Sequence, residues 1–149
     1  MSNLYRCLSL YLFVVFTVAA PAFGADESRL NLPQAYIAPV RIHTAEELSS
    51  LLLEAEQLPQ YSALIENPVM FVLHGEEARS FIRGNYEANQ SLVDRSAKLT
   101  ALGVVQIEIC ERWMGTNGVK ASQLQPFVKT VRYAPARISA LKDDGYIYF

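Results

Sequence analysis

The chain has 149 residues, 51% of them apolar and 19% charged, with a formal net charge of −2. That size fits one ordinary globular domain and excludes a multidomain enzyme, and the apolar share excludes a disordered tail. Thirteen Lys and Arg against fifteen Asp and Glu leave no basic excess to neutralise phosphates, so nucleic acid is not an expected partner.

The first residues read as a secretory signal. Arg6 is the only charged side chain before Asp26, and it precedes an apolar run from Leu8 to Ala22 interrupted by Ser9 and Thr17. A short positive region ahead of about 7–15 apolar residues has the form of a signal peptide. Ala22 and Gly24 stand at the −3 and −1 positions of a cut before Ala25, with a cut at Ala20 and Ala22 as the second choice. A membrane span needs roughly 20 apolar residues, which this run does not reach. Cys7 follows Tyr5 and Arg6 rather than small residues, which argues against a lipid-anchored cysteine. Residues 1–24 are thus expected to be a signal peptide, and the protein periplasmic or secreted. Its removal takes Cys7 with it and leaves Cys110 without an intramolecular disulfide partner. An odd thiol in an exported protein is buried and inert, paired with another molecule, or reactive. There is no CxxC pair, and two histidines with one cysteine at scattered spacing do not make a zinc set, so no metal and no cofactor is expected.

Residues 25–67 read as an N-terminal arm and an amphipathic helix, followed by an α/β domain over residues 68–149. Asp26 to Gln34 is polar and extended. Tyr36 to Ile42 is an edge strand, kept from a sheet centre by Pro39. Thr44-Ala45-Glu46-Glu47 is a capping box, opening a helix with Leu48, Leu51, Leu52, Ala55 and Leu58 on one face and Pro59 after its end. Val69 to Leu73, five apolar residues closed by His74-Gly75, is a strand buried on both faces. Glu76 to Arg83 is helical up to Gly84, with Glu76, Glu77, Arg79 and Arg83 as a solvated face. A second helix, Tyr86 to Leu102, ends at Gly103 in the C′ position. Val104 to Ile109 is a strand running into Cys110, and Glu111 to Asn117 a helical turn stopped by Gly118. Phe127 to Val131 is a strand, Pro135 to Lys142 a helix with proline in its first turn, and Tyr146 to Phe149 a last strand. Strands alternating with helices in this way mean βαβ units, hence a parallel sheet covered on both faces.

The stretch from Val69 to Phe149 resembles the DsrE/DsrF-like sulfur-relay superfamily. The resemblance is carried by the strand ending in His74-Gly75, by Asn85 and Asn89, by the Leu99-x-x-Leu102-Gly103-Val104 junction and by the strand delivering Cys110-Glu111. Leu124 before a strand, then Ile138-x-x-Leu141 leading to Gly145-Tyr146-Ile147-Tyr148, complete it. It implies a three-layer α/β/α sandwich around a mostly parallel sheet of about five strands. It also implies assembly into trimers or hexamers and, in the thiol-bearing members, a cysteine that carries sulfur as a persulfide.

The residues point to the same place independently. Ligands of open α/β sheets bind outside the carboxyl ends of the strands, where Cys110 and His74 are both expected. A thiol at the start of a helix meets unsatisfied amides and the positive end of the dipole, which favours the nucleophilic thiolate. Arg112 pushes the same way, whereas Glu108 and Glu111 oppose it. Cys110 and His74 are therefore the candidate catalytic pair, with Gly75, Asn85, Asn89, Glu111 and Trp113 as candidate ligand-binding residues. The partner would be a sulfur donor or acceptor protein or a small thiol. The alternative is a non-catalytic periplasmic ligand-binding or assembly protein in which Cys110 is packing. No GxGxxG after a strand, no GxxxxGK[ST] and no GxSxG is present, so dinucleotide, P-loop and hydrolase-elbow chemistry lack their residues.

Overall fold

The computed structural model of the chain describes residues 35–39, 42–61 and 67–148. The expected signal peptide, the arm to Gln34 and Phe149 lie outside them. The elements run β1 (Tyr36–Ile37), α1 (Ala45–Tyr61), β2 (Val69–Leu73), three 3-10 segments (Glu76–Phe81, Arg83–Asn85 and Glu87–Asn89) and α2 (Gln90–Ala101). Then follow β3 (Val105–Cys110), α3 (Glu111–Thr116), a 3-10 turn (Ala121–Gln123), β4 (Lys129–Val131), α4 (Ala134–Asp143) and β5 (Ile147–Tyr148). The sheet has five strands in the order β4-β3-β2-β1-β5, and each of its pairings is parallel.

Alternation along the central strands divides the interior in two, because successive side chains of a strand point to opposite faces. Val69, Phe71 and Leu73 of β2, with Val105, Ile107 and Ile109 of β3, pack with Leu48, Leu52 and Ala55 of α1 and Leu92, Val93 and Leu99 of α2. Met70 and Val72 of β2, with Cys110 of β3, pack instead with Ala134, Ile138 and Leu141 of α4. The result is a three-layer α/β/α sandwich, with α1 and α2 on one face and α4 on the other. Its strand β2 is buried at all five positions, as a continuous apolar run requires.

Local signals are realised in detail. Thr44 Oγ1 accepts from the Glu47 amide at 3.2 Å and Glu47 Oε2 accepts from the Thr44 amide at 3.2 Å, the reciprocal bonds of a capping box. Gly103 ends α2 with φ 72°, a conformation that glycine adopts without steric cost.

Other expectations are corrected. Within the described residues before 62, β1 pairs with β2 and with β5, and α1 supplies core leucines. Strand β1 is interior rather than at an edge, because its last ladder bond, from the Ala38 amide to the Met70 carbonyl at 2.9 Å, comes before Pro39. Helix α1 continues through Pro59 to Tyr61; proline holds φ near the helical value, so a last turn takes it with the loss of one hydrogen bond. The stretch after Gly75 is 3-10 rather than α-helical, and α2 begins at Gln90 rather than Tyr86. Ile82 breaks the run by taking extended backbone and bridging to Leu124. Glu77 is not on a solvated face: it is 1% exposed.

Candidate functional site

Strands β4, β3 and β2 lie side by side and end at the same edge of the sheet. The register pairs Leu73 with Ile109 and Cys110 with Val131, so the residues just after β2 and β4 flank the end of β3. His74, Cys110 and Tyr133 thereby meet at one pocket of about 230 Å³, to which α3 adds Arg112 and Trp113 and α4 adds Pro135.

Cys110 is the N-cap of α3, with extended backbone (φ −68°, ψ 119°). Its residue surface is 4% exposed. On the side away from solvent its Sγ accepts a hydrogen bond from the backbone amide of Ala134 at 3.4 Å. That amide opens α4, and the first amides of a helix have no carbonyl partner within it. Bonding to sulfur satisfies this one and sets a donor against the atom that would bear negative charge.

His74 takes its position from Glu77. The buried carboxylate turns back along the chain, and its Oε1 accepts from the amides of His74 at 3.0 Å and Gly75 at 2.9 Å. A Cβ on Gly75 would collide with the same carboxylate. Buried polar atoms are nearly always paired, yet His74 Nδ1 and Glu77 Oε2 have no hydrogen-bond partner among the described residues. His74 itself lines the pocket, while this ring nitrogen lies buried behind the pocket surface.

The opposite wall is fixed by a chain of polar contacts. Arg79 binds Glu76 at 2.6 Å and Asn117 Oδ1 at 2.7 Å, and its guanidinium lies 5.8 Å from the centroid of the Trp113 ring. Asn117 Nδ2 donates to the Trp113 carbonyl at 2.9 Å. Trp113 is therefore held between α3 backbone and a cation, a favourable arrangement for an indole.

Beneath the pocket, Glu108 of β3 is 3% exposed and accepts from Arg137 of α4 through both oxygens, at 2.8 and 3.1 Å. Glu108 Oε1 also accepts from Gln106 at 2.6 Å, and Gln106 Oε1 from Lys129 at 2.7 Å. The bond to Glu108 pushes the Arg137 guanidinium above its ordinary value, against the opposing effect of burial. This pair ties α4 to the sheet one helical turn from the amide that meets Cys110. Glu108 is thus engaged with Arg137, whereas the sequence sets it against the thiol.

Of the candidate residues, the structure brings together Cys110, His74 and Trp113. It does not bring Asn85, Asn89 or Glu111 to them. Asn85 Nδ2 caps the Arg79 carbonyl and Asn89 Nδ2 the Asn85 carbonyl, both at 2.9 Å, which makes them braces of the 3-10 segments. Glu111 accepts from Thr130 at 2.9 Å on the exposed side of α3. Gly75 acts through the Glu77 carboxylate rather than as a pocket wall. The sequence reading missed Tyr133 and Pro135. The signal for them was topological: in a parallel sheet, residues that follow the strand next to β3 must lie beside the residue that ends β3.

No protein-family model matches the chain, and no curated protein does. Among solved structures, the chain is similar to a protein of unknown function from Methanobacterium thermoautotrophicum. The TM-score is 0.51 with 20% identity, over 77% of this chain and 94% of that one. At that identity the likeness shows the shared α/β fold.

Proposed function

We propose that the chain is an exported DsrE-like protein that carries sulfane sulfur on Cys110, acting as a sulfur carrier or sulfurtransferase. The observation that carries this reading is the placement of Cys110 Sγ: it borders an open pocket with His74 and receives the Ala134 amide at 3.4 Å. A thiolate is the nucleophile in such chemistry, and the Ala134 amide is the donor that faces this sulfur. The Cys110 thiolate attacks the terminal sulfur of a polysulfide. A sulfur–sulfur bond forms at Cys110, one in the donor breaks, and the shortened donor leaves as an anion, so no oxidant is consumed. His74, which lines the same pocket, takes the proton as the thiol becomes the nucleophile.

Export rests on the arrangement of Arg6, the Leu8 to Ala22 run and the Ala22 and Gly24 positions, and it is tested by whether the mature chain begins at Ala25. Assembly into trimers or hexamers rests on the family resemblance and is tested by sedimentation.

A second reading has its own observation. Cys110 is 4% exposed and packs with Val72, Ala134 and Ile138, as a small buried hydrophobe does. In that reading the pocket binds a ligand or another subunit without catalysis. Loading the chain with polysulfide and releasing the bound sulfur with cyanide separates the two. The carrier reading expects thiocyanate from the wild type and none from Cys110→Ser, and equal yields refute it.

A further inference from the structure

His74 and Pro135 line two depressions, not one. The second, of about 280 Å³, continues from the Cys110 pocket along α4 past Ile138 and Ser139 to Lys142. Positions 135, 138, 139 and 142 recur at helical spacing and form one face of α4. At 1.5 Å per residue, the groove follows that helix for about 10 Å.

Charge along the groove departs from that of the chain. The protein as a whole is net negative. The described residues lining the two depressions include Arg112 near the Cys110 end and Lys142 at the far end, and no carboxylate. The Arg112 guanidinium lies 5.7 Å from the centroid of Tyr133, and the Lys142 ammonium 4.4 Å from that of Tyr148. Neither is ion-paired with a carboxylate among the described residues. Two cations with no carboxylate partner among the described residues, at the ends of a groove that Cys110 borders, suit a ligand that carries a carboxylate at each end. An extended peptide residue spans about 3.3–3.6 Å, so three residues match the α4 stretch.

We propose that this groove binds a tripeptide-sized thiol with a carboxylate at each end, and that this thiol is the acceptor of the sulfur held on Cys110. The inference rests on the sulfur-carrier reading of Cys110. The acceptor's thiolate attacks the outer sulfur of the Cys110 persulfide. A sulfur–sulfur bond forms on the acceptor, the bond between the two sulfurs on Cys110 breaks, and Cys110 departs as thiolate while the acceptor departs as persulfide. Electrons balance without a further reagent. His74, on the wall shared by both depressions, is placed to take the acceptor's proton.

The probe is S-methylglutathione, which has the length and both carboxylates but no free thiol. It is titrated into the full chain, with Cys110 unloaded, by isothermal calorimetry and by amide chemical shifts. The expected result is saturable binding with shifts at His74, Ser139 and Lys142, weakened about tenfold in Lys142→Glu and in Arg112→Glu, as the loss of a charge contact implies. Absence of binding, binding unchanged in both variants, or equal binding of the cationic thioether S-methylcysteamine overturns the proposal. The shift map on the wild type tests the site even if a variant folds poorly. Because the probe takes up no sulfur, its failure speaks against the groove alone, whereas failure of Cys110 to load speaks against the carrier reading.

Discussion

The amide of Ala134 donates to Cys110 Sγ at 3.4 Å across the gap between α4 and the end of β3. Through this contact, whatever fixes the start of α4 also fixes the environment of the sulfur. Three features of the structure converge on it: the Glu108–Arg137 pair below, the Glu77 carboxylate that sets His74, and the Trp113 wall.

Reaching Cys110 depends on reagent size. Cys110 is almost wholly covered and lines a pocket of about 230 Å³. Iodoacetamide is expected to modify the native protein, and a bulky aromatic disulfide to react far more slowly until denaturant is added. Trp113→Ala should narrow the difference by removing one wall. Rates followed by mass spectrometry check this, and equal native rates for both reagents would contradict it.

Separating Glu108 from Arg137 should be costly. Arg137→Met leaves a nearly buried carboxylate without its two charged bonds, and breaking a buried pair costs about 3–5 kcal/mol. Arg137 itself is a third exposed, so solvent offsets part of this and the loss should lie at or below the lower end. The double variant Glu108→Leu with Arg137→Met should recover most of the stability in urea unfolding, since no charge is then left stranded.

The Glu77 carboxylate and the absence of a side chain at residue 75 form one unit. Glu77→Ala strands the half-buried His74 and Gly75 amides and is expected to cost up to about 1–3 kcal/mol for each donor left without an acceptor. Gly75→Ala forces a methyl group against the same carboxylate, with a cost of about 1–3 kcal/mol for overpacking. Denaturant midpoints read both, and Glu77→Gln, which retains an acceptor oxygen, should fall between wild type and Glu77→Ala.

Acid should weaken the junction of α1 and α2. Lys98 and Arg95 bind Glu56 at 3.0 Å each, and they hold its carboxyl below the ordinary value of 4.5. A carboxyl lowered in the folded state stabilises above its unfolded value and loses that contribution as pH falls through 4.5 and then through the folded value. The stability difference between wild type and Glu56→Gln should therefore be present at neutral pH and vanish in acid. A difference that persisted or grew in acid would contradict the assignment.

Periodicity and caps made much of this fold legible. The run from Val69 to Leu73, bounded by Pro68 and Gly75, reads as a strand buried on both faces, and Thr44 with Glu47 marked the start of α1. Where tertiary contacts override local pattern, the sequence misled. Glu77 looks like one charge in a solvated cluster because nothing local shows its carboxylate turning back to the amides of His74 and Gly75. Asn85 and Asn89 sit at helical spacing, as pocket residues could, but their amides are spent on nearby carbonyls. Cys110 and His74 were legible as strand ends. Tyr133 and Pro135 were not, since they reach the site through the order of the strands rather than through spacing along the chain.

The most direct test of the account is the intact mass of the protein purified under non-reducing conditions, measured before and after exposure to polysulfide and again after dithiothreitol. A sulfur carrier at Cys110 should gain one sulfur atom or a short sulfur chain that dithiothreitol reverses, in the wild type and not in Cys110→Ser. No gain in the wild type, or the same gain in Cys110→Ser, would contradict it and leave Cys110 as a packing residue beside a binding pocket.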